Sequence, residues 1–380
     1  MTMAADKQDK VLNVPNLRFP EFKGEWNDTR LKDLCKFLSG GTPSIDNVEY
    51  WEGDIPFVSA IAMHDTHIEK TPLHLTEKGV SNGSKQLKAG NLLLLVRGSM
   101  LWNKIPICYN DVDVAFNQDV KGIIPNSNTT SLFLLNWIQS HENKIKYMVT
   151  GTGIGAGKLD SEDLLALNVK LPSLNEQKKI EKFLSLIDER ITTQIRIIEK
   201  LQSLMKGLAE RLTSQAPNTQ IADCLECHTS TLQENQLKAT GDYKVYGANG
   251  VCGYTDKPAI IEDAILIVKD GSGVGNINYA IGKYSVIGTS NYLTVKDGFS
   301  LRYLYYCLMT FNFTPYRTGM AIPHIYFKDY GKALVYCPSL DEQKRIANLL
   351  SKIDGKIQIE TSIMDYYQMQ KRYLLQSMFI

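Results

Sequence analysis

Between residues 173 and 214 the seam positions are Ile180, Leu184, Ile187, Ile191, Gln194, Ile198, Leu201, Met205, Leu208 and Leu212. They alternate steps of four and three, which is a heptad seam rather than a broad amphipathic face. Gly is absent between Glu176 and Lys206, so the pattern predicts one uninterrupted helix. A second seam ends the chain: Ile346, Leu350, Ile353, Ile357, Glu360, Met364, Tyr367, Lys371, Leu374 and Met378. Both seams carry a polar residue at one matching place, Gln194 and Glu360. Such a residue either fixes register at some cost in stability, or faces solvent at a break in the seam. About forty residues at 1.5 Å each make a rod on the order of 60 Å long. A rod with one apolar seam needs a partner, and the other copy is in the same chain. Spacing leaves parallel and antiparallel pairing open; tandem copies separated by a globular stretch permit the antiparallel one easily.

The two seams begin alike. PSLNEQKKIEKFLSLIDERI (172–191) and PSLDEQKRIANLLSKIDGKI (338–357) align without a gap, 166 residues apart. Ser173 and Ser339 stand as N-caps, with Glu176 and Glu342 three residues on, the pattern of a capping box. The duplication sets the architecture. Ahead of the first helix, short apolar runs bounded by Gly, Pro, Asn and Asp read as strands: IPFVSA (55–60), NLLLLVRG (91–98) and DVKGIIP (119–125). A helical pattern runs over Ser131–Lys146. The stretch between the helices echoes this, AILIVKDGS (264–272) matching NLLLLVRGS (91–99), and RTGMAIPHIYFKDY (317–330) matching GTGIGAGKLDSEDL (151–164). The expected organisation is a flexible N-terminus over 1–15, a mixed α/β module over 16–171 and a helix over 172–214. A second module over 215–337 and a second helix over 338–380 complete it.

Composition narrows the class without naming a chemistry. With 43% hydrophobic and 22% charged residues in 380, the chain reads as an ordinary globular protein of two or three domains. No apolar run is long enough to span a membrane, and MTMAADKQDK has no apolar core of the secretory kind. Seven cysteines at irregular spacing point away from a disulfide framework and toward a reducing, cytoplasmic compartment. A net charge of +1 is low for a protein that grips nucleic acid alone. Binding would need basic residues gathered on one face, or partners that supply phosphate contacts.

The sequence shows no complete catalytic motif. TGTGIGAGK (150–158) misses a Walker A loop, since Thr152 stands where the first glycine belongs and Leu159 follows the lysine. CLECH (224–228) has the spacing of covalent haem attachment, but a zinc site would need Cys252 as a fourth ligand, and small buried cysteines are the simpler reading. Asp160, Glu162 and Asp163 read as solvated charge at a helix start. No catalytic residue and no metal ligand is assigned. Recognition fits better. The VRGSMLWNK loop brings Arg97, Ser99, Asn103 and Lys104, and Lys158 closes the glycine-rich loop. The second module offers Lys269, Ser272 and Asn276, then Arg317, Thr318 and His324 at the places of the glycine-rich loop. Arg reads guanine, Asn reads adenine, and Ser and Lys reach phosphates.

These features resemble the specificity subunit of a type I restriction-modification system. The resemblance rests on the paired PSLNEQKKI and PSLDEQKRI helix starts, NLRFPEFKGEWNDTRLKDL (16–34), KVYGANGVCGY (244–254), and the RGS and DGS loops. It implies an α/β (α+β) fold: two mixed α/β target recognition domains joined by two long helices packed as an antiparallel coiled coil. Each domain would read one half of a bipartite target in double-stranded DNA, the helices setting the gap. The chain itself would be non-catalytic and direct adenine methylation and restriction by two methyltransferase subunits and two ATP-dependent translocase/nuclease subunits. S-adenosylmethionine, ATP and Mg²⁺ are expected on those partners, with none in this chain. Partner docking and spacing are expected of Glu176, Gln177, Ile180, Leu184, Ile187 and Ile191. Their counterparts are Glu342, Gln343, Ile346, Leu350, Ile353 and Ile357. The competing reading is a coiled-coil scaffold or adaptor without DNA contact.

Overall fold

A computed structural model describes residues 13–153, 155–320 and 322–380. Of the flexible terminus expected over 1–15, residues 1–12 lie outside the described residues, as do Ile154 and Ala321 in the two aligned loops. Packing divides the chain into two compact units: one runs to Thr192 and includes Asp365–Ile380, the other is Thr193–Met364. The division falls within both long helices, so each unit holds one module and a part of each helix.

In the first unit, β1 (Cys35–Ser39), β2 (His67–Ile68), β3 (Leu92–Leu95), β4 (Ile107–Asn110) and β5 (Val120–Pro125) form a sheet of order β1-β5-β3-β4-β2. Neighbours are antiparallel except β2 and β4. All four leucines of β3 are buried, because both faces of the central strand are covered. Trp51–Val58 lies in a second, four-stranded sheet. The helix expected over Ser131–Lys146 is two. α1 (Ser131–Ser140) ends at His141, whose ψ of 11° leaves the helical region, and Glu142–Lys146 forms a separate turn. Thr130 caps α1 through the Phe133 amide.

The second unit repeats the plan after α2 (Leu174–Thr213), the first long helix. β6 (Leu225–Thr229), β7 (Ala264–Val268), β8 (Ile277–Ala280) and β9 (Ser290–Val295) pair antiparallel in the order β6-β9-β7-β8. This is β1-β5-β3-β4 again, with a fully buried central strand, β7. α3 (Leu301–Thr310), capped by Ser300, follows as α1 does, and α4 (Leu340–Met378) is the second long helix.

The helices pair antiparallel. In the first unit Ile180, Leu184 and Ile187 of α2 share a core with Leu374, Leu375 and Met378 of α4. Lys371 Nζ there meets Asp188 Oδ1 at 2.6 Å. In the second unit Met205 and Ala209 share a core with Ile346 and Leu350. Early positions of one helix therefore face late positions of the other. The matching polar residues meet each other: buried Gln194 donates through Nε2 to the Glu360 carbonyl at 3.0 Å and to its carboxylate. Lys356 Nζ takes the other carboxylate oxygen at 2.5 Å. The pair sits inside the seam, bonded across it rather than turned to solvent.

The helix starts depart from a capping box in one respect. Ser173 and Ser339 do accept from the amides of Glu176 and Glu342, at 3.4 Å each. Neither glutamate returns the bond. Glu176 is buried and takes a bidentate pair from Arg18 at 2.7 and 2.8 Å, with Trp26 Nε1 at 3.2 Å. Glu342 pairs with Arg345 at 3.1 Å. The glutamine that follows acts alike in both copies. Gln177 Oε1 accepts from Thr129 Oγ1 and the Thr130 amide, and its Nε2 donates to the carbonyls of Asn128 and Pro172. Gln343 Oε1 accepts from the Ser300 amide, and its Nε2 donates to the Pro338 carbonyl. Each glutamine ties the start of a long helix to the cap of the helix that follows its sheet.

Candidate nucleic-acid interface

Just beyond β3 the chain forms a small ladder. Arg97–Gly98 pairs with Gly157–Lys158, which pairs with Thr150–Gly151. Arg97 and Lys158, 61 residues apart in sequence, stand directly opposite each other. A side chain at Gly157 would meet Val149 Cγ1 at 2.9 Å and Leu101 Cβ at 3.0 Å, so the close approach requires glycine. Both cationic side chains stay about half exposed, with Arg97 Nη1 3.9 Å from Asp119 and Lys158 Nζ 3.5 Å from Asp160. With Gln118, Lys121 and Ser161 they border a cavity of about 300 Å³. Lys121 Nζ donates to Ser39 Oγ at 2.6 Å. Asp160 caps the helix Ser161–Leu165, and the Glu162 amide at 2.9 Å holds its carboxyl below the usual range. This is the helix-start charge expected of it.

The rest of the first loop turns elsewhere. Ser99 opens a 3-10 turn through Trp102 and is exposed. Trp102 Nε1 donates to the Gly155 carbonyl at 3.0 Å, holding the glycine-rich loop beside the turn. Asn103 ends the turn, and its carbonyl accepts from Lys146 Nζ. Lys104 lines a different depression, with His64, Asp65, Glu142 and Arg372. Arg97 and Lys158 thus come together, and Lys104 stands apart from them.

In the second module, segments 269–276 and 317–325 interlock. Thr318 and His324 exchange both backbone bonds, at 2.9 and 2.7 Å. The Gly271 amide donates to Pro323, and the Ile325 amide to Lys269, each at 3.0 Å. Gly319 makes the turn at φ +87°, where a Cβ would lie 2.3 Å from the Ile322 carbonyl oxygen. Arg317 Nη2 donates to the Val274 carbonyl at 2.8 Å, so this guanidinium braces the loop. Lys269 Nζ lies 4.0 Å from Asp270, and Asp270 Oδ1 lies 2.7 Å from His324 Nδ1. Ser272 and Thr318 are exposed. Asn276 lines a cavity of about 490 Å³ with Asn249, Asn278 and Phe311. Met320, Ile322 and Tyr326 add exposed apolar surface beside His324. Reading the sequence missed Gln118, Lys121 and Asp270. For Asp270 the signal was present, because AILIVKDGS sets it opposite Arg97.

The residues grouped for partner docking lie mostly inside the chain. Glu176, Gln177 and Gln343 are buried in the contacts above. Ile180, Leu184, Ile187, Ile346 and Leu350 are core, while Ile191, Ile353 and Ile357 are half-buried at the seam. Of the twelve, Glu342 presents the most accessible charged group. Outward apolar positions are others: Leu186, Ile195 and Leu204 on α2, and Ile359, Tyr366, Met369 and Tyr373 on α4. The CLECH residues disperse. Cys224 Sγ lies 3.7 Å from Cys337 Sγ, and His228 bonds Thr294 and stacks on Tyr292, while Cys252 Sγ donates to the Val245 carbonyl. Among the described residues, no helix is long and apolar enough to cross a membrane.

Known proteins match this arrangement. The family model described as "Type I restriction modification DNA specificity domain" matches twice, over residues 23–203 and 218–365. The EcoR124I/EcoR124II specificity subunit of Escherichia coli is 32% identical over 45% of this chain, and that match covers 43% of the relative's length. The MjaVIII specificity subunit of Methanocaldococcus jannaschii is 24% identical over 97% of this chain and 95% of its own. Among solved structures, the S subunit of a type I restriction-modification system from M. genitalium shares the fold. It has a TM-score of 0.62 at 17% identity, covering 97% of this chain and 99% of that one. Two matches of one domain, laid over two modules of the same strand order, place the chain in the type I restriction-modification DNA specificity domain family, with two copies of its domain.

Proposed function

We propose that the chain reads a bipartite sequence in double-stranded DNA, one half per module. The antiparallel helices would set the gap between the halves, and partner subunits would carry out adenine methylation and restriction. The observation that carries this is the recurrence of one device in both modules: two loops, distant in sequence, laddered together beside a buried central strand and displaying polar side chains. Such side chains suit base edges and phosphates. The net charge of +1 fits a chain that shares phosphate contact with partners. The proposed partners are two methyltransferase subunits and two ATP-dependent translocase/nuclease subunits, with S-adenosylmethionine, ATP and Mg²⁺ held by them. The outward apolar positions of α2 and α4 offer docking surface. The chain's own part is recognition.

The test is selection from randomised DNA by the chain assembled with its methyltransferase partner. Two short conserved blocks at a fixed gap are expected, with weak binding by the chain alone. A complex that selects no sequence sinks the proposal. A scaffold without DNA contact instead predicts that Arg97→Ala and Lys269→Ala leave methylation unchanged.

A further inference from the structure

At one place the two modules carry opposite chemistry. Arg97 stands across from Lys158 in the first ladder, and at the matching positions Asp270 stands across from His324. The first pair offers only donors. In the second, the Asp270 carboxylate 2.7 Å from His324 Nδ1 is an acceptor only, so it favours the tautomer whose Nδ1–H donates to it, and in that neutral tautomer Nε2 is free to accept. Backbone bonds on both sides hold the histidine: Thr318 bonds it directly, and Gly271 and Lys269 bond its neighbours Pro323 and Ile325. Its side chain is still 35% exposed, so the ring is positioned and reachable at once.

We propose that His324 is a base-reading residue of the second module and that Asp270 is the positioning residue that fixes its tautomer. The ring then accepts from a donor on a base edge, the exocyclic amine of adenine or cytosine. At the same place the first module, through Arg97, donates to acceptors such as guanine O6 and N7. The inference rests on the DNA-reading function proposed above, and it makes the two half-sites differ in hydrogen-bond polarity at that base pair.

The experiment uses the complete complex with its partner subunits and DNA in which both half-sites are randomised in turn, near neutral pH. His324→Ala is expected to lower the preference at one base pair of one half-site about tenfold. Asp270→Asn weakens the preference at that same base pair, and His324→Gln, which keeps a carbonyl acceptor, retains most of it. In all three the other half-site is read as before, which reports an intact and assembled chain, whereas Arg97→Ala relaxes that other half-site. Two results overturn the inference while leaving DNA reading in place. Either His324→Ala weakens binding to all sequences alike, the mark of a phosphate contact, or none of the three variants changes any base preference. A wild-type complex with no sequence preference overturns the reading function and this inference with it.

Discussion

The same glutamine does the same job twice, and its chemistry explains why. A primary amide both donates and accepts, so one side chain closes a helix cap on one side and a chain carbonyl on the other. Gln343 is buried, and Gln343→Ala leaves the Ser300 amide and the Pro338 carbonyl without their partners. Unpaired buried groups cost about 1–3 kcal/mol each, and these two, half-buried, fall toward the lower end. Thermal unfolding should report a clear loss of stability, and a larger one for Gln177→Ala, which breaks four bonds. Glu181 is a contrasting case. Burial pushes its carboxyl up to about 7, although the Phe133 amide favours the charged form. A folded-state pKa above the unfolded one means that the folded chain holds the proton longer. Stability therefore falls as pH rises from about 4.5 toward 7, the window between those values. Thr130 Oγ1 donates to this carboxyl, and Glu181→Gln keeps an acceptor for it while removing the charge. It should raise the melting temperature at pH 8 and leave it nearly unchanged at pH 4; equal shifts at both would refute the assignment.

At the scale of elements, the heptad seam was legible because it is local: spacing, absence of glycine and a serine cap all lie within one stretch of chain. Matching loops were legible because duplication supplies a second reading of each. What escaped were contacts that only folding creates. Arg18 reaches Glu176 across 158 residues and takes the carboxylate that a capping box would have turned to its own backbone. His141 interrupts a periodic pattern where it stacks on Trp137 at 4.5 Å, and no apolar spacing records that. The seam's polar pair shows how far pattern goes. Spacing placed Gln194 and Glu360 at one matching position, and only the antiparallel pairing brings them face to face. A hydrogen-bonded polar pair in a seam favours one register over tighter apolar packing. Gln194→Leu alone should lower the denaturant midpoint, since a buried carboxylate oxygen of Glu360 loses its donor and the Glu360 carbonyl loses the second of its two. Gln194→Leu with Glu360→Leu should restore or exceed it. A double variant no more stable than the single one would show that the pair contributes stability rather than register.

For the whole molecule, the shared strand order of the two modules and the shared latch at both helix starts separate what is constant from what varies. β1-β5-β3-β4 and β6-β9-β7-β8 are one frame, whereas the ladders beside them carry Arg97 and Lys158 in one copy and Asp270 and His324 in the other. Changing a ladder residue should alter bases within a half-site. Changing the helices should alter only the gap, if they act as the ruler proposed. Glu199 is exposed on α2. Four residues inserted there add about 6 Å of helix, so the gap should grow by roughly one or two base pairs. Four is also a step of the seam, which lets the apolar positions beyond the insertion find neighbouring ones on α4. Mapping methylated adenines made by the assembled complex reads both half-sites and the gap together. The expected outcome is an unchanged pair of half-sites at a wider separation. Altered bases in either half-site, or an unchanged gap, would count against the ruler.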